Sequence, residues 1–329
     1  MFVLHCSQLI SGCIGSGQNA NFSIACITAP RAAMALAALS GDEQRILFIQ
    51  LCNVLEPRVA VDFSSVNRDL RASTQAQLQQ LRADHEAAAA LCLKVGMRSC
   101  KQLREAKEVD LRDICLTATD LALLGTLGSV LPALETLNLQ EPGGAAGPDG
   151  VQRLAAGLGA GALPAVTFLS ISGMHAGDAG ASALAASLGQ GALPRLKILV
   201  LYNAAIGDAG LVALAPALRR LSALERINLK SNPLGDEGLA ALVAPPPPAG
   251  APPPPAGVLT KLNKLGLRDT QVTDAGCATL AAALDSGALP ALEMHEFLLE
   301  LNSIPASAAA RAAVRAALAR SSAAARVPC

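Results

Sequence analysis

The feature that most constrains the fold of this 329-residue chain is an internal repeat. The phrase Gly-Ala-Leu-Pro occurs at 161–164, 191–194 and 287–290, and segments of the form L-x-x-L-x-L begin at intervals of 28, 32, 30, 28, 38 and 30 residues. Such a period is typical of solenoids, in which one small unit is stacked many times. The apolar positions of the six best copies are Ala106/Val109/Leu111, Leu134/Leu137/Leu139, Val166/Leu169/Ile171, Leu196/Leu199/Leu201, Leu224/Ile227/Leu229 and Leu262/Leu265/Leu267.

Each copy predicts a strand, a turn and a helix. The last two apolar residues of the segment are two apart, which is the period of a half-buried strand. A turn phrase such as Gly207-Asp208-Ala209-Gly210 follows, and we expect its aspartate to cap the helix that begins there. The helix is rich in alanine and has leucines four apart, as at Leu184 and Leu188. One unit buries too little apolar surface to fold alone, so the pattern predicts a stacked array.

The fourth copy carries a specific family resemblance. Leu196, Leu199 and Leu201, followed by Ile206-Gly207-Asp208-Ala209-Gly210 and the helix 213–218, resemble the long leucine-rich repeats of ribonuclease inhibitor, NOD-like receptors and Ran GTPase-activating proteins. The resemblance covers about 101–306. It implies an α/β leucine-rich-repeat horseshoe solenoid with parallel strands on the concave face and helices on the convex face.

Two departures from that family are visible. Its repeats usually hold an asparagine after the strand, which predicts a buried asparagine ladder, but here only Asn232 is kept. The final copy is degenerate, because His295 stands where the second leucine is expected. The other positions equivalent to Asn232 hold Ile114, Pro142, Met174, Ala204 and Thr270.

The segments outside the repeats suggest further domains. We expect residues 1–40 to be a poorly ordered leader, 41–100 a small α-helical head, 101–305 the repeats, and 306–329 an alanine-rich capping helix and tail. The proline-rich stretch 245–256 interrupts the fifth copy and predicts a polyproline II excursion. An inert insertion on the outer face is favoured there over a docking segment for a proline-binding domain.

The head resembles a degenerate F-box between Glu43 and Arg71, although the opening Leu-Pro and the closing tryptophan of that family are missing. The resemblance implies docking to a ubiquitin-ligase adaptor, and a plain helical cap is the alternative. A long amphipathic helix is expected to follow from Gln75 to Val95. The family pattern of an apolar helix, a proline and a small-residue helix is matched by Leu47, Phe48, Leu51, Pro57, Ser64, Ser65, Arg68 and Leu70.

Composition and motifs argue against catalysis and against several kinds of partner. Lys and Arg together number 26, as do Asp and Glu, so no net field favours nucleic acid or an anionic membrane. Nine cysteines without a C-x-x-C pair indicate neither a disulfide framework nor a zinc site, and they favour the cytoplasm or the nucleus. The sequence contains no uninterrupted run of 18 apolar residues, so it predicts no membrane span. We predict no catalytic residue, no cofactor and no metal.

The candidate binding residues are the strand side chains that point away from the repeat core. The column before the second leucine-type residue holds Glu108, Thr136, Phe168, Ile198, Arg226 and Lys264, and the column after the third holds Arg112, Gln140, Ser172, Tyr202, Lys230 and Arg268. This face is apolar in the middle, where Phe168, Ile198, Val200 and Tyr202 predict an exposed patch, and basic toward its C-terminal side.

Exposed aromatic side chains beside arginines are typical of binding hot spots. We therefore predict a non-enzymatic protein-interaction scaffold whose partner has an acidic edge. The alternatives are an F-box-type substrate receptor of a ubiquitin ligase and a GTPase-activating or ribonuclease-inhibitor-like regulator. The predicted contact residues are Phe168, Ile198, Tyr202, Arg226, Lys230, Lys264 and Arg268.

Overall fold

The computed structural model describes residues 36, 38–141, 146–243, 259–293 and 303–324. The chain divides into two compact units, one of 1–93 with 98–101 and the other of 94–97 with 102–329. Nearly all of the leader 1–40, the proline-rich stretch 245–256, Pro142 and His295 lie outside the described residues, so what the sequence predicts for them stays a prediction.

The described residues of the first unit form the helices α1 (Gly41–Leu51), α2 (Arg58–Ser65) and α3 (Arg68–Lys94), and α4 (Cys100–Glu105) follows at its boundary. A capping box between Ser40 and Glu43 starts α1. The core of this unit is formed by Phe48, Ala60, Phe63, Leu70 and Leu81.

The long helix α3 begins at Arg68 and not at Gln75, as the sequence pattern predicts. The side-chain oxygen of Asn67 accepts a hydrogen bond from the N–H of Leu70 at 2.8 Å and so caps the helix start. The predicted start was wrong because the apolar periodicity that indicates this helix becomes clear only after its first turns.

Strands and helices alternate along the second unit up to Asp285, and a further helix stands at 308–324. In the described residues six strands form one parallel sheet in chain order, and the leucine-type residues at the centre of each strand pair directly with one another, as Leu169 does with Leu199. The predicted α/β class with parallel strands is confirmed. In chain order the elements are β1 (Glu108–Asp110), α5 (Ala118–Leu127), β2 (Thr136–Gln140), α6 (Gly147–Gly157), β3 (Phe168–Ser172), α7 (Gly177–Gly189), β4 (Ile198–Val200), α8 (Asp208–Arg220), β5 (Arg226–Asn228), α9 (Asp236–Val243), β6 (Lys264–Gly266), α10 (Asp274–Asp285) and α11 (Ala308–Ala324).

The repeated apolar residues form a continuous core between the sheet and the helices. Leu199 and Leu214 are fully buried, and Leu184 and Leu188 lie on the buried side of α7, as their spacing predicts. Small residues bring neighbouring helices close. A Cβ on Gly157 of α6 would lie 2.6 Å from the carbonyl carbon of Gly125 on α5, so this pair of helices meets backbone to backbone.

The aspartates of the turn phrases cap the helix of the following repeat, and the prediction that each caps its own helix was wrong. Asp208 is the first residue of α8, and its Oδ1 accepts hydrogen bonds from the N–H groups of Gly235 at 2.7 Å and Gly238 at 2.8 Å. A side chain already inside the first turn extends sideways, toward the next helix start. The same link to the next repeat is made by Asp178 to Gly207, Asp236 to Thr273 and Asp274 to Ser307.

The second glycine of the turn phrase makes room for that carboxylate. A Cβ on Gly238 would lie 2.8 Å from Oδ1 of Asp208, and one on Gly210 would lie 2.5 Å from Oδ1 of Asp178. The turn phrase therefore provides an aspartate for the next repeat and a glycine that receives the aspartate of the previous one. We call this pairing the aspartate–glycine interlock.

Asn232 is buried and joins its own repeat to the preceding one. Glu141 does part of the same work in an earlier copy, since its buried carboxylate accepts the N–H of Leu116 at 3.0 Å. The sequence pattern does not reveal this replacement, because the glutamate lies one position before the expected slot. Oδ1 of Asn232 accepts hydrogen bonds from the N–H groups of Ala204 and Ile206, and its Nδ2 donates to the carbonyls of Leu201, Leu229 and Lys230.

Candidate functional site

Each of the six strands points alternate side chains away from the helices, and we call the surface that they form the open face. The register pairs Glu108, Thr136, Phe168, Ile198, Arg226 and Lys264 directly across the sheet, which is the first predicted column. Main-chain hydrogen bonds extend the ladder beyond the short strands. The N–H of Asn203 donates to the carbonyl of Lys230 at 3.0 Å, and that of Ser231 to Arg268 at 2.9 Å, so the second column is aligned as well.

A left-handed residue directly after the second column ends five of the six extended segments, the exception being the segment that Glu141 follows. Asp113, Asn203, Ser231 and Asp269 have φ between 48° and 57°, and Gly173 takes the same place with φ 69°. Glycine, asparagine and aspartate tolerate this conformation better than other residues. The turn carries the chain off the sheet and leaves the side chains of Tyr202, Lys230 and Arg268 at its edge.

The two ends of the open face differ in charge. At β1, Glu108 and Asp110 are exposed, and Arg112 donates to the Asp110 carboxylate at 2.6 and 2.9 Å. This hydrogen bond lowers the pKa of Asp110 and raises the pKa of Arg112, so the cation of this end is already neutralised. The other end carries Arg226, Lys230, Lys264 and Arg268.

Arg226 and Arg268 differ in what their guanidinium groups contact. Arg268 lies 3.4 Å from the carboxylate of Asp269. The exposed guanidinium of Arg226 makes no ion pair or hydrogen bond within the part of the chain that the structure describes. Arg226 is therefore available to an acidic group from outside.

A cavity of about 290 Å³ opens on the basic half of the open face. Phe168, Ile198 and Val200 form its apolar wall, and no carboxylate is among its lining residues. Tyr202 and Arg268 are outside the lining. Five of the seven predicted contact residues are brought together here, namely Phe168, Ile198, Arg226, Lys230 and Lys264.

Asn228, Asn263 and Gly266 also line the cavity, and they are not among the contact residues predicted from the sequence. A Cβ on Gly266 would lie 2.9 Å from Oδ1 of Asn228 and 3.1 Å from Cε of Lys230, so the missing side chain opens the floor. Oδ1 of Asn263 is buried without a donor among the described residues. The alternation of side chains along a strand identifies Asn228 and Gly266, which lie between the first and the second column. Asn263 precedes β6, where this alternation does not apply.

The apolar part of the open face is narrower than the sequence predicts. Tyr202 is 43% exposed, but Phe168, Ile198 and Val200 are half-buried. Ser170 and Ser172 are only 4% exposed although they share this face, and their hydroxyl groups bond each other at 2.9 Å. These short side chains lie between longer ones on β2 and β4. The expected broad patch is therefore a strip beside the cavity.

Comparison with known proteins agrees with this architecture. A leucine-rich-repeat family model matches residues 222–243, which contain β5, Asn232 and α9. The second unit is a leucine-rich-repeat solenoid. The matched copy is the one that keeps the family's asparagine. The chain matches no curated protein.

Clustered metal ligands and cysteine thiols are two kinds of group that could support chemistry in the described residues. No three His, Cys, Asp or Glu side chains come together as metal ligands in the described ranges. The thiols of Cys52, Cys92, Cys100, Cys115 and Cys277 are free. Burial raises the pKa of Cys52 to about 11 and that of Cys92 to about 12, so both stay protonated and weakly nucleophilic. No helix of the described residues is long and apolar enough to cross a membrane.

Proposed function

We propose that this protein is a non-enzymatic interaction module of the ribonuclease-inhibitor-like type, whose open face binds a protein partner with an acidic edge. The cavity on the basic half carries the proposal. It combines an apolar wall at Phe168 and Ile198 with the available guanidinium of Arg226, and no carboxylate lines it.

The partner's chemistry follows from this arrangement. A carboxylate of the partner would pair with Arg226 through two parallel hydrogen bonds, while a neighbouring apolar side chain packs on Phe168 and Ile198. Lys230 and Lys264 line the same cavity, and complementary charge across an interface favours one partner over others. Because all these residues are on or next to paired strands, their backbone loses little conformational entropy when the partner binds.

Site-specific photo-crosslinking tests the face itself. A photoreactive amino acid at Tyr202 should capture the partner, whereas one at Val212, which is exposed on helix α8, should not. Equal capture at both positions would count against the open face.

The captured partner is then measured against two matched double variants. Tyr202→Ala/Arg226→Ala should weaken its binding by at least about tenfold. Arg153→Ala/Val212→Ala removes one cation and one apolar side chain from helices, and should leave the affinity unchanged. Unchanged affinity in the first variant would show that the assignment is wrong.

A second candidate function concerns the head, as an F-box-like module that docks a ubiquitin-ligase adaptor through Glu43–Arg71. The observation that favours it is on α1, where Ile46 and Ile49 are 52% and 59% exposed while Phe48 is fully buried. Co-purification with a cullin-adaptor subunit tests it. Ile46→Ser/Ile49→Ser should abolish recovery, and Leu93→Ser, also at an exposed leucine of the head, should not. Failure of the wild-type chain to bind any such adaptor would refute this function.

A further inference from the structure

A groove of about 370 Å³ lies on the head between α2 and α3, within the first unit. Its middle is apolar, where Val61 of α2 faces Leu78 of α3, and both side chains are half-buried. The other residues that line the groove are polar. The remaining lining residues are Ser64, Ser65, Arg71, Gln75, Gln79 and Arg82.

The two arginines stand far apart along the groove. Arg71 and Arg82 are on the same helix and are separated by ~16 Å along its axis, since each residue adds about 1.5 Å. Residues 71, 75, 78, 79 and 82 recur at helical spacing, so they share one face of α3. The groove therefore has a cation near each end and an apolar centre.

No described residue balances the charges of this groove. No lining residue is acidic. Both guanidinium groups are exposed, and neither forms an ion pair or a hydrogen bond with any residue that the structure describes. Elsewhere on the head, Arg45 lies 3.2 Å from Asp42, and Arg58 lies 3.9 Å from Asp62.

We infer that the α2–α3 groove binds a short acidic peptide of a partner protein, in an extended conformation, with two carboxylates that pair with Arg71 and Arg82. An extended chain covers ~16 Å in about five residues. An apolar side chain between the two carboxylates would rest on Val61 and Leu78. The amides of Gln75 and Gln79 would bond the peptide's main chain.

A peptide fits this groove better than the other anionic macromolecules do. Nucleic-acid grooves need several phosphate-binding cations and aromatic side chains on which bases stack, whereas this lining has two cations and no aromatic residue. A membrane surface would need a polybasic cluster or protruding apolar residues. Here the apolar residues form the floor, and the cations are well separated.

Peptide binding to the whole protein tests this inference. The probes are fluorescent hexapeptides with glutamate at both ends and one leucine at each of the central positions in turn, titrated by fluorescence anisotropy at low ionic strength. Arg71→Gln/Arg82→Gln should weaken the best peptide by at least about tenfold. Arg45→Gln/Arg58→Gln, which removes the same charge from the head outside the groove, should leave its affinity unchanged.

Peptide variants keep the test independent of protein stability. Replacing both terminal glutamates by glutamine should abolish binding to the wild-type chain, and replacing leucine by serine should weaken it. No binding of any hexapeptide, or an equal loss in the two arginine double variants, would overturn the inference. So would equally tight binding of a single-stranded oligonucleotide or of anionic lipid vesicles that also depends on Arg71 and Arg82.

Discussion

At the scale of single residues, hydrogen bonds of a few buried polar side chains tie one repeat to the next. Asn232 makes five side-chain hydrogen bonds at 2% exposure, and they reach both its own turn and the preceding repeat. In the next copy Thr270 fills the same slot, and among the described residues its hydroxyl donates only to the carbonyl of Leu267. The two positions should differ in energetic weight.

Asn232→Ala should lower the free energy of unfolding by about 3 kcal/mol, because several buried N–H and C=O groups lose their partner at once. Thr270→Ala is the matched change in the same slot, and we expect a loss of about 1 kcal/mol. Chemical denaturation followed by circular dichroism measures both. Equal losses would mean that the additional hydrogen bonds of Asn232 do not stabilise the folded state.

At the scale of helices and strands, the aspartate–glycine interlock sets the position of each helix against the next. The carboxylate of Asp208 lies at the N-terminus of α9, where unpaired N–H groups and the helix dipole both favour a negative charge. The glycines opposite admit it at hydrogen-bonding distance. One short phrase therefore provides both the capping group and the space for the cap.

Asp208→Ala should destabilise the solenoid by about 1–2 kcal/mol, the usual cost of a lost N-cap. Glu237→Ala removes an exposed acid from the first turn of the same helix α9 and should change stability by less than about 0.5 kcal/mol. Thermal or urea unfolding distinguishes them. The interlock would have no energetic role if both variants unfolded alike.

The last helix, α11, should respond to acid. Hydrogen bonds from Ser307 lower the pKa of Asp274, and those from Arg320 lower the pKa of Asp285, both below their ordinary value of 3.8. A carboxyl with a lowered pKa stabilises the folded state above its unfolded pKa, and this contribution is lost as the pH falls through the folded value. We therefore expect acidification below 3.8 to weaken the contact between α10 and α11.

Hydrogen exchange of α11, corrected for the intrinsic effect of pH, measures this response. Its protection should fall in acid in the wild-type chain. In Asp274→Asn/Asp285→Asn the fall should be much smaller, whereas Asp149→Asn, whose carboxylate pairs with Arg153 on α6, should behave as the wild type. An unchanged acid response in the double variant would exclude these two carboxyls as its source.

At the scale of the whole solenoid, strands pair only with their sequence neighbours, so stability should be shared locally. Leu214→Ala in central α8 and Leu318→Ala in terminal α11 remove equally buried leucines, each at a cost of about 2–5 kcal/mol. Hydrogen exchange should speed up on both sides of α8 in the first variant. In the second it should speed up only in α10 and α11. Uniform loss of protection in both would indicate a single cooperative unit.

The sequence predicts the repeats well because their evidence is periodic. The strand centres, the open-face columns and the buried leucines all follow from spacing, and the structure places them as expected. Links between repeats have no such period. The carboxylates of Glu141 and Asp208 accept from main-chain N–H groups that are about 25–30 residues away in the sequence.

The candidate cavity was predictable in part for the same reason. Phe168, Ile198, Arg226 and Lys264 follow from the register. The role of Gly266 does not follow from the register, because the floor of the cavity is open only where this residue lacks a side chain. Burial of Ser170 and Ser172 also depends on the size of their neighbours, which spacing does not describe.

The aspartate–glycine interlock also bears on how such an array can change in length. The copies with Asp208, Asp236 and Asp274 each extend an aspartate to the next repeat and receive one from the previous repeat, so the two contacts of a copy belong to different neighbours. When a whole repeat is deleted or duplicated between equivalent aspartates, such as Asp178 and Asp208, the aspartate at the new junction again meets the turn of a following repeat. No aspartate inside the array is then left without its partner. Unequal recombination between copies thus produces longer or shorter proteins that can still fold, and each such event would also shift where the acidic and basic ends of the open face lie.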